Sequence, residues 1–193
     1  MKKIIITSIY VFLCFLPVNS NAEIKSISEG NSNAKIKLIV FESLTCSHCA
    51  NFHNNVYPNL KKDFIDSGLA YIEFRNFPLD IAALNGSKIA HCKNDGNSKI
   101  LHYLFENQNK WVKGTTVEEL NKNIKILIEK SNFNLDYKKC LNDKNVENHI
   151  LEDRIEGVKK FKIEATPTLI INGEKFENAS NYKKLKKYLK KLI

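Results

Sequence analysis

The pair Cys46 and Cys49, separated by two residues, constrains this sequence more than any other feature. The two cysteines follow the apolar run 36–41 and precede a helical pattern, which predicts that their sulfurs lie where a buried strand meets a helix. The first turn of a helix has unpaired N–H groups and the positive end of the helix dipole, and both stabilise an anion. We therefore expect a reactive thiolate at Cys46, with a lowered pKa, and a less exposed thiol at Cys49 one turn further along.

The same cysteine spacing occurs in half of a zinc site and in static disulfides, so both remain alternatives. A tetrahedral zinc site needs two further ligands. Beyond the N-terminal segment the chain offers Cys92, Cys140 and scattered histidines, and none of them forms a second close pair. Redox chemistry is therefore the favoured interpretation, with neither a metal ion nor a cofactor expected.

Residues 1–22 have the composition of a secretory signal peptide. A short basic start is followed by an almost wholly apolar run, and the small residues Ser20 and Ala22 stand at the −3 and −1 positions of a cleavage site before Glu23. A retained membrane anchor is the alternative, but the apolar run is short for a membrane span. Export would place the rest of the chain in an oxidising compartment.

The whole chain has 193 residues, of which 43% are hydrophobic and 26% charged, and this composition suits one globular domain or one domain with a large insertion. Its formal charge is +9. Lysines spread along the chain account for nearly all of the positive charge, and an even spread is weaker evidence for nucleic-acid binding than a clustered patch. We expect no nucleic-acid partner.

The cysteines that follow residue 22 are even in number, which is typical of disulfide proteins. Their spacing favours the pairs Cys46–Cys49 and Cys92–Cys140. A bond between Cys92 and Cys140 would close most of the helical region between them and stabilise it by about 2–4 kcal/mol. The alternative is two buried thiols that serve as small apolar side chains.

The order of the predicted elements indicates an α/β fold with a helical insertion. A strand at 36–41, a helix ending near Gly68 with a kink at Pro58, and a strand at 69–77 predict a right-handed βαβ unit with parallel strands. The cysteine pair then lies at the carboxyl end of a strand, where open α/β sheets place their sites. Residues 82–161 predict three or four helices and no strand.

Short sequence patterns predict the elements at the two ends of the region after residue 22. Residues 23–34 read as a polar lead-in that precedes the first convincing strand. Residues 168–171 predict another strand, and Asn172-Gly173 is a type I′ turn signal that leads into an antiparallel partner. Ser180 is a candidate cap for the last helix, whose apolar stripe would cover the sheet.

Three stretches carry a further signal in combination: Cys46-Ser47-His48-Cys49, the sequence Arg-Asn-Phe-Pro-Leu at 75–79, and Ala165-Thr166-Pro167-Thr168. Together they resemble the DsbA-like thiol-disulfide oxidoreductases of the bacterial periplasm, and the resemblance covers essentially the whole chain after residue 22. The cysteine pair in the helical insertion is closer to the alpha-proteobacterial members of that family.

The resemblance implies an α/β thioredoxin fold interrupted by an all-helical subdomain. Residues 23–81 and 162–193 would be the two parts of the thioredoxin fold, and residues 82–161 the inserted helices.

For the site, the resemblance implies that Cys46 exchanges with substrate thiols and that Cys49 is its buried partner. His48 would favour the Cys46 thiolate and so make the disulfide a strong oxidant. Pro167 would be a cis-proline beside the disulfide, and Thr166 would pair its main chain with a substrate peptide.

Two departures from the family pattern affect the expected oxidising strength. Ser47 stands where many family members have proline, and the dipeptide between the cysteines tunes the redox potential. Val40 stands six residues before Cys46, where the family often has a buried carboxylate that assists proton movement, and Glu42 is nearby. The remaining histidines match no catalytic motif and are interpreted as structural or solvated side chains: His53, His91, His102 and His149.

The favoured function is the introduction of disulfide bonds into unfolded or reduced exported proteins, with a DsbB-like membrane quinone oxidoreductase as the partner that reoxidises a monomeric enzyme. One alternative is a disulfide isomerase or reductase kept reduced in the periplasm, although few residues precede the first strand to form a dimerisation domain. The other is a copper(I)-binding chaperone that uses Cys46 and Cys49 as soft ligands.

Overall fold

Residues 23–193, the part of the chain that the computed structural model describes, contain a mixed β-sheet of five strands. The strands are β1 (Ile27–Gly30), β2 (Ile36–Glu42), β3 (Ala70–Asn76), β4 (Thr168–Ile171) and β5 (Glu174–Phe176). They lie in the order β1-β3-β2-β4-β5, with β2 and β3 parallel and the other pairs antiparallel. The signal-peptide prediction for residues 1–22 falls outside the described range.

The centre of the sheet is β2, which pairs with β3 from Ile36 opposite Ala70 to Glu42 opposite Asn76. Leu38 and Val40 are both 0% exposed, as expected for a strand whose apolar residues are covered. The predicted parallel βαβ unit is therefore confirmed.

The polar lead-in contains a strand that the sequence pattern did not indicate. Residues of β1 pair antiparallel with β3, and Ile27 is 2% exposed. Four residues are too few to show an alternating pattern, so the open edge of β3 decides the pairing. Gly30 ends the strand with φ +94°, and a Cβ there would lie 2.5 Å from the Ala70 carbonyl oxygen, so only glycine fits.

The helix after the cysteines is less regular than its sequence pattern. It consists of α1 (Ser47–Asn51), a π-helical turn at Phe52–Val56, α2 (Tyr57–Leu60) and a second π-helical turn at Lys61–Ile65. Pro58, which has no N–H to donate, stands in the first turn of α2, immediately after the first π-helical turn. The second π-helical turn ends at Ile65, and the chain turns at Gly68, where φ is +75°, close to the predicted end of the helix.

Six helices lie between β3 and β4 within the described range, more than the three or four expected. They are α3 (Ile81–Ala90), α4 (Lys99–Glu106), α5 (Gln108–Trp111), α6 (Val117–Glu129), α7 (Tyr137–Asn142) and α8 (Lys144–Phe161). The two extra helices, α5 and α7, are only four and six residues long, too short to show a helical period in the sequence.

A disulfide bond joins Cys92, which follows α3, to Cys140 in α7, with 5.1 Å between their Cα atoms. Cys140 is 2% exposed, so one sulfur of the bond lies in the core of the helical region. The bond links the segment after α3 to α7 across a sequence separation of 48 residues.

The C-terminal part follows the sequence pattern with one correction. Asn172 and Gly173 have φ values of 50° and 91° and connect β4 to antiparallel β5, which confirms the predicted hairpin. The last helix, α9 (Tyr182–Leu189), is capped by Asn181 and not by Ser180, since the Asn181 side chain accepts a hydrogen bond from the Lys184 N–H. Both residues are common caps, and the position at which the chain turns into the helix selects the second.

None of the helices in residues 23–193 combines the length and the apolar character that a membrane crossing requires.

Replacing Cys92 and Cys140 together with alanine should lower the free energy of unfolding by about 2–4 kcal/mol, because the unfolded chain regains the freedom of a long loop. Urea denaturation measures the change, with Cys46 and Cys49 held in the same redox state in parent and variant. Equal stability of the two proteins, or labelling of both cysteines by a thiol reagent without prior reduction, would contradict this expectation.

Candidate active site

The cysteine pair lies at the carboxyl end of β2, at the predicted junction of strand and helix. Cys46 is the N-cap residue of α1, and its carbonyl oxygen accepts hydrogen bonds of 3.1 Å from the N–H groups of Cys49 and Ala50. Cys46 is partly exposed and Cys49 is 0% exposed. One sulfur is thus accessible to another protein, and the second can be reached only through the first.

Hydrogen bonds lower the pKa of Cys46 to about 5. The largest contribution to this pKa shift is a hydrogen bond from the Cys49 thiol, burial of Cys46 opposes it, and Thr166 and the backbone N–H groups of Cys49 and His48 add to it. The N–H groups belong to the first turn of α1, as the sequence argument requires. Cys46 is therefore a thiolate at neutral pH.

Cys49 has the opposite character. Burial raises the pKa of the Cys49 thiol far above its usual range, and the hydrogen bond to Cys46 and the charge of Glu42 raise that pKa further. The Ser43 N–H lies 3.5 Å from the Cys49 sulfur. A proton must therefore move before Cys49 can act as a nucleophile.

Residues distant in sequence complete the site. Thr166 and Pro167 are joined by a cis peptide bond, and the Thr166 carbonyl oxygen lies 3.4 Å from the Cys46 sulfur across a sequence separation of 120. Ser47 and His48 are exposed on the first turn of α1, beside the accessible sulfur. The structure thus brings together the six site residues predicted from the sequence.

A sequence model of the thioredoxin family matches residues 22–191, nearly all of the described chain. This chain belongs to the thioredoxin family.

Relatives of this thioredoxin-family chain have names that refer to disulfide chemistry. A protein of Rickettsia bellii (strain RML369-C), named as a candidate protein-disulfide oxidoreductase, is 33% identical over 154 residues that cover 78% of this chain and 58% of the relative. Disulfide bond formation protein D of Bacillus subtilis (strain 168) is 26% identical over 172 residues, which cover 84% of this chain and 74% of the relative. The chain therefore spans little more than half the length of the rickettsial relative.

Solved structures extend the likeness to most of the chain. Alpha-DsbA1 of Wolbachia pipientis is 29% identical with a TM-score of 0.77, covering 92% of this chain and 93% of that structure. BdbD of Bacillus subtilis has the same fold, with a TM-score of 0.70, 21% identity, and coverage of 86% and 92%. The predicted thioredoxin fold and the resemblance to DsbA-like proteins are confirmed.

Three polar residues near the site were not identified from the sequence. The Gln108 side chain of α5 donates hydrogen bonds of 2.8 Å to the Leu44 carbonyl and 3.0 Å to the Cys46 carbonyl. The Thr45 hydroxyl donates to Asp80, the N-cap of α3, at 2.7 Å. These contacts attach the inserted helices to the loop that presents Cys46. No local sequence pattern predicts them.

Behind the cysteines, four polar side chains form a connected chain through the core. Glu42 lies 2.6 Å from His53, His53 lies 2.9 Å from His102, and His102 lies 2.9 Å from Glu29. Glu42 occupies the end of β2, two residues after Val40. The protein therefore has a buried carboxyl group close to the position where the family often has one. Only the packing of β1, α4 and the π-helical turn shows that these residues meet.

The thiolate absorbance at 240 nm of the reduced protein should show a transition near pH 5, the pKa of Cys46. In Cys49→Ala the transition should move to higher pH, because the largest stabilising hydrogen bond to the thiolate is lost. Since this pKa is depressed on folding, its contribution to the stability of the reduced form is lost as pH falls through about 5. A first transition above about pH 8, the range of an ordinary cysteine, would contradict the assignment.

Proposed function

We propose that this protein is a thiol:disulfide oxidoreductase that introduces disulfide bonds into exported proteins. The observation that carries the proposal is the pairing of an accessible thiolate at Cys46 with a fully buried thiol at Cys49. A low pKa at the accessible cysteine stabilises the reduced form of the pair and therefore makes its disulfide a strong oxidant. The names of the relatives support the same chemistry.

The reaction proceeds by two exchanges. A substrate thiolate attacks the Cys46 sulfur of the Cys46–Cys49 disulfide, forming a mixed disulfide and releasing Cys49 as a thiolate, which takes up a proton. A second substrate thiolate then attacks the substrate sulfur of the mixed disulfide and releases Cys46. The substrate loses two electrons and gains a disulfide, and the enzyme cysteines are left reduced.

The surrounding residues have distinct roles in this proposal. His48 supplies an N–H group to the Cys46 thiolate, and Ser47 between the cysteines tunes the redox potential. Thr166, whose carbonyl oxygen already lies beside Cys46, pairs its main chain with the substrate, and Pro167 shapes the surface next to the sulfur.

The proposal extends to the cellular setting. Residues 1–22 act as a signal peptide that exports the chain to the periplasm, and the enzyme works there as a monomer without a cofactor. Reduced exported proteins are the substrates, and a DsbB-like membrane quinone oxidoreductase restores the Cys46–Cys49 disulfide. Residues 23–81 and 162–193 carry the active site, and residues 82–161, stapled by Cys92–Cys140, shape its surroundings.

The equilibrium between the reduced and oxidised Cys46–Cys49 pair in glutathione buffers tests the function. We expect a potential above about −200 mV, more oxidising than the ordinary glutathione pool. Alkylation and mass spectrometry of quenched samples measure the two forms, and Cys49→Ser, which cannot form the disulfide, is the matched control. A potential near about −270 mV, typical of a reductase, would overturn the oxidase and leave the isomerase or reductase alternative.

A further inference from the structure

The polar chain behind the cysteines is continuous from atom to atom. Glu42 Oε2 lies 2.6 Å from His53 Nε2, His53 Nδ1 lies 2.9 Å from His102 Nδ1, and His102 Nε2 lies 2.9 Å from Glu29 Oε1. The exposed fractions of the side chains are 4% for Glu42, 1% for His53, 19% for His102 and 16% for Glu29. The chain of contacts therefore begins in the dry core and ends near the surface.

The inner end of the polar chain, Glu42, adjoins the backbone N–H group that contacts Cys49. Glu42 immediately precedes Ser43, whose N–H lies 3.5 Å from the Cys49 sulfur, and a negative charge on Glu42 would raise the pKa of Cys49. Glu42 Oε1 is buried and has no hydrogen-bond partner among residues 23–193. A buried polar atom without a partner is rare and calls for a functional explanation.

The outer end of the chain opens to solvent. Glu29 also accepts hydrogen bonds from the Ser98 hydroxyl and, at 2.6 Å, from the Lys61 ammonium. Glu29, Lys61, Ser98 and His102 all line one surface cavity of about 470 Å³. A proton that reaches this end can pass to water.

The environment sets the charge of each member. Burial raises the pKa of Glu42 well above its usual range and lowers the pKa of His53 to about 3, so burial favours the neutral form of both side chains. Burial alone would raise the pKa of Glu29, but hydrogen bonds from His102, Lys61 and Ser98 outweigh it and lower that pKa, so Glu29 is a carboxylate.

One arrangement of protons satisfies every contact in the chain. Glu42 donates from Oε2 to His53 Nε2, His53 donates from Nδ1 to His102 Nδ1, and His102 donates from Nε2 to Glu29. Each contact then holds one proton, and all of them point outward from the core.

Packing holds the two histidine rings in place. The His53 ring stacks on Phe105 at 4.0 Å between centroids, and the His102 ring stacks on Tyr57 at 4.6 Å. Other titratable groups act on the chain from neighbouring elements: the charges of Glu106 and Glu29 act on His53, Cys46 acts on Glu42, Lys61 and Tyr57 act on Glu29, and Asp66 pairs with Lys61.

We propose that Glu42, His53 and His102 form a proton relay that connects the Cys49 thiol to the surface cavity at Glu29. This inference rests on the proposed function, because only an exchanging Cys49 needs to gain and lose a proton. The three residues do not touch substrate, and they act on the reaction through Cys49 alone.

Every proton that leaves one group of the relay is taken up by the next, both when Cys49 loses its proton and when it regains one. When Cys49 must become a nucleophile, its proton passes to Glu42 Oε1 while the Oε2 proton moves to His53 Nε2. The Nδ1 proton of His53 moves to His102, and the Nε2 proton of His102 moves to Glu29 and on to water. The reverse sequence returns a proton to Cys49 when it leaves as a thiolate during substrate attack.

Reaction of the reduced protein with oxidised glutathione separates the step that needs the relay from the step that does not. The Cys46 thiolate attacks one glutathione sulfur, releases a glutathione thiolate and becomes a mixed disulfide. Cys49 must then lose its proton, attack the Cys46 sulfur and expel the second glutathione as a thiolate. Acid quenching and mass spectrometry follow the mixed disulfide over time and give the rate of each step.

In Glu42→Gln and His102→Gln we expect the mixed disulfide to decay at least about tenfold more slowly at pH 7, since general acid–base assistance is lost. Its rate of formation should change less than about twofold, because that step uses the thiolate already present at Cys46. The defect should shrink as pH rises, because hydroxide can then take the Cys49 proton directly.

Two further variants separate proton transfer from a structural effect. In His102→Ala, next to the surface cavity, added imidazole should restore much of the decay rate. His149→Gln is the matched control, because His149 packs against His91, 5.2 Å between ring centroids, in a different polar cluster, and it should behave as the parent protein.

Decay rates within about twofold of the parent in both glutamine variants would overturn the relay, as would equal slowing of both steps or equal slowing by His149→Gln. If Glu42→Gln does not fold, the partly exposed His102 and the imidazole rescue decide the question. The relay and the proposed function fail differently: a parent protein with a reductase potential refutes the oxidase, whereas variants that match an oxidising parent refute the relay.

Discussion

The burial of Cys49 behind Cys46 is the constraint on which the rest of the site depends. Because one sulfur is fully enclosed and the other partly exposed at a helix N-terminus, the same two side chains have pKa values shifted in opposite directions. The exposure of Cys46 makes it the sulfur that is attacked, and its low pKa makes it a good leaving group. Because the pKa of Cys49 is raised, its thiol must lose a proton before it attacks and regain one after it is released. A pair of equally exposed cysteines would have neither property.

The sheet and the inserted helices both contact the cysteine loop and fix the different exposure of the two sulfurs. The central strand β2 ends just before the cysteines, and the loop before β4 brings the Thr166 carbonyl to the accessible sulfur. From the helical region, Gln108 holds the carbonyls of Leu44 and Cys46. Long-range contacts therefore fix the geometry of a short motif, and the helical insertion is part of the site rather than an appendage to it.

The polar chain from Glu42 to Glu29 is unusual for a core, because buried polar groups cost free energy unless they are paired. Here three contacts link the four side chains, and Lys61 holds the second oxygen of Glu29. The remaining atom, Glu42 Oε1, belongs to the residue that precedes Ser43, whose N–H contacts Cys49. Val40 stands where the family often has a buried carboxylate, and the structure places the buried carboxyl group of Glu42 two residues later on the same strand. Residues at i and i+2 point to the same face of a strand, so the shift keeps the carboxylate on that face.

The sequence by itself determined the features that local chemistry controls: the reactive pair at a strand-helix junction, the parallel βαβ unit, the hairpin at Asn172-Gly173 and the site residues of the cysteine motif. Apolar periodicity and turn residues encode these within short windows. Only the tertiary structure decided the pairing of β1, the contact of Gln108 with the active-site loop, and the meeting of His53 with His102. Each depends on elements that are far apart in sequence, and the packing energy that brings them together has no local signature. The two histidines looked isolated in the sequence because their partners lie on other elements.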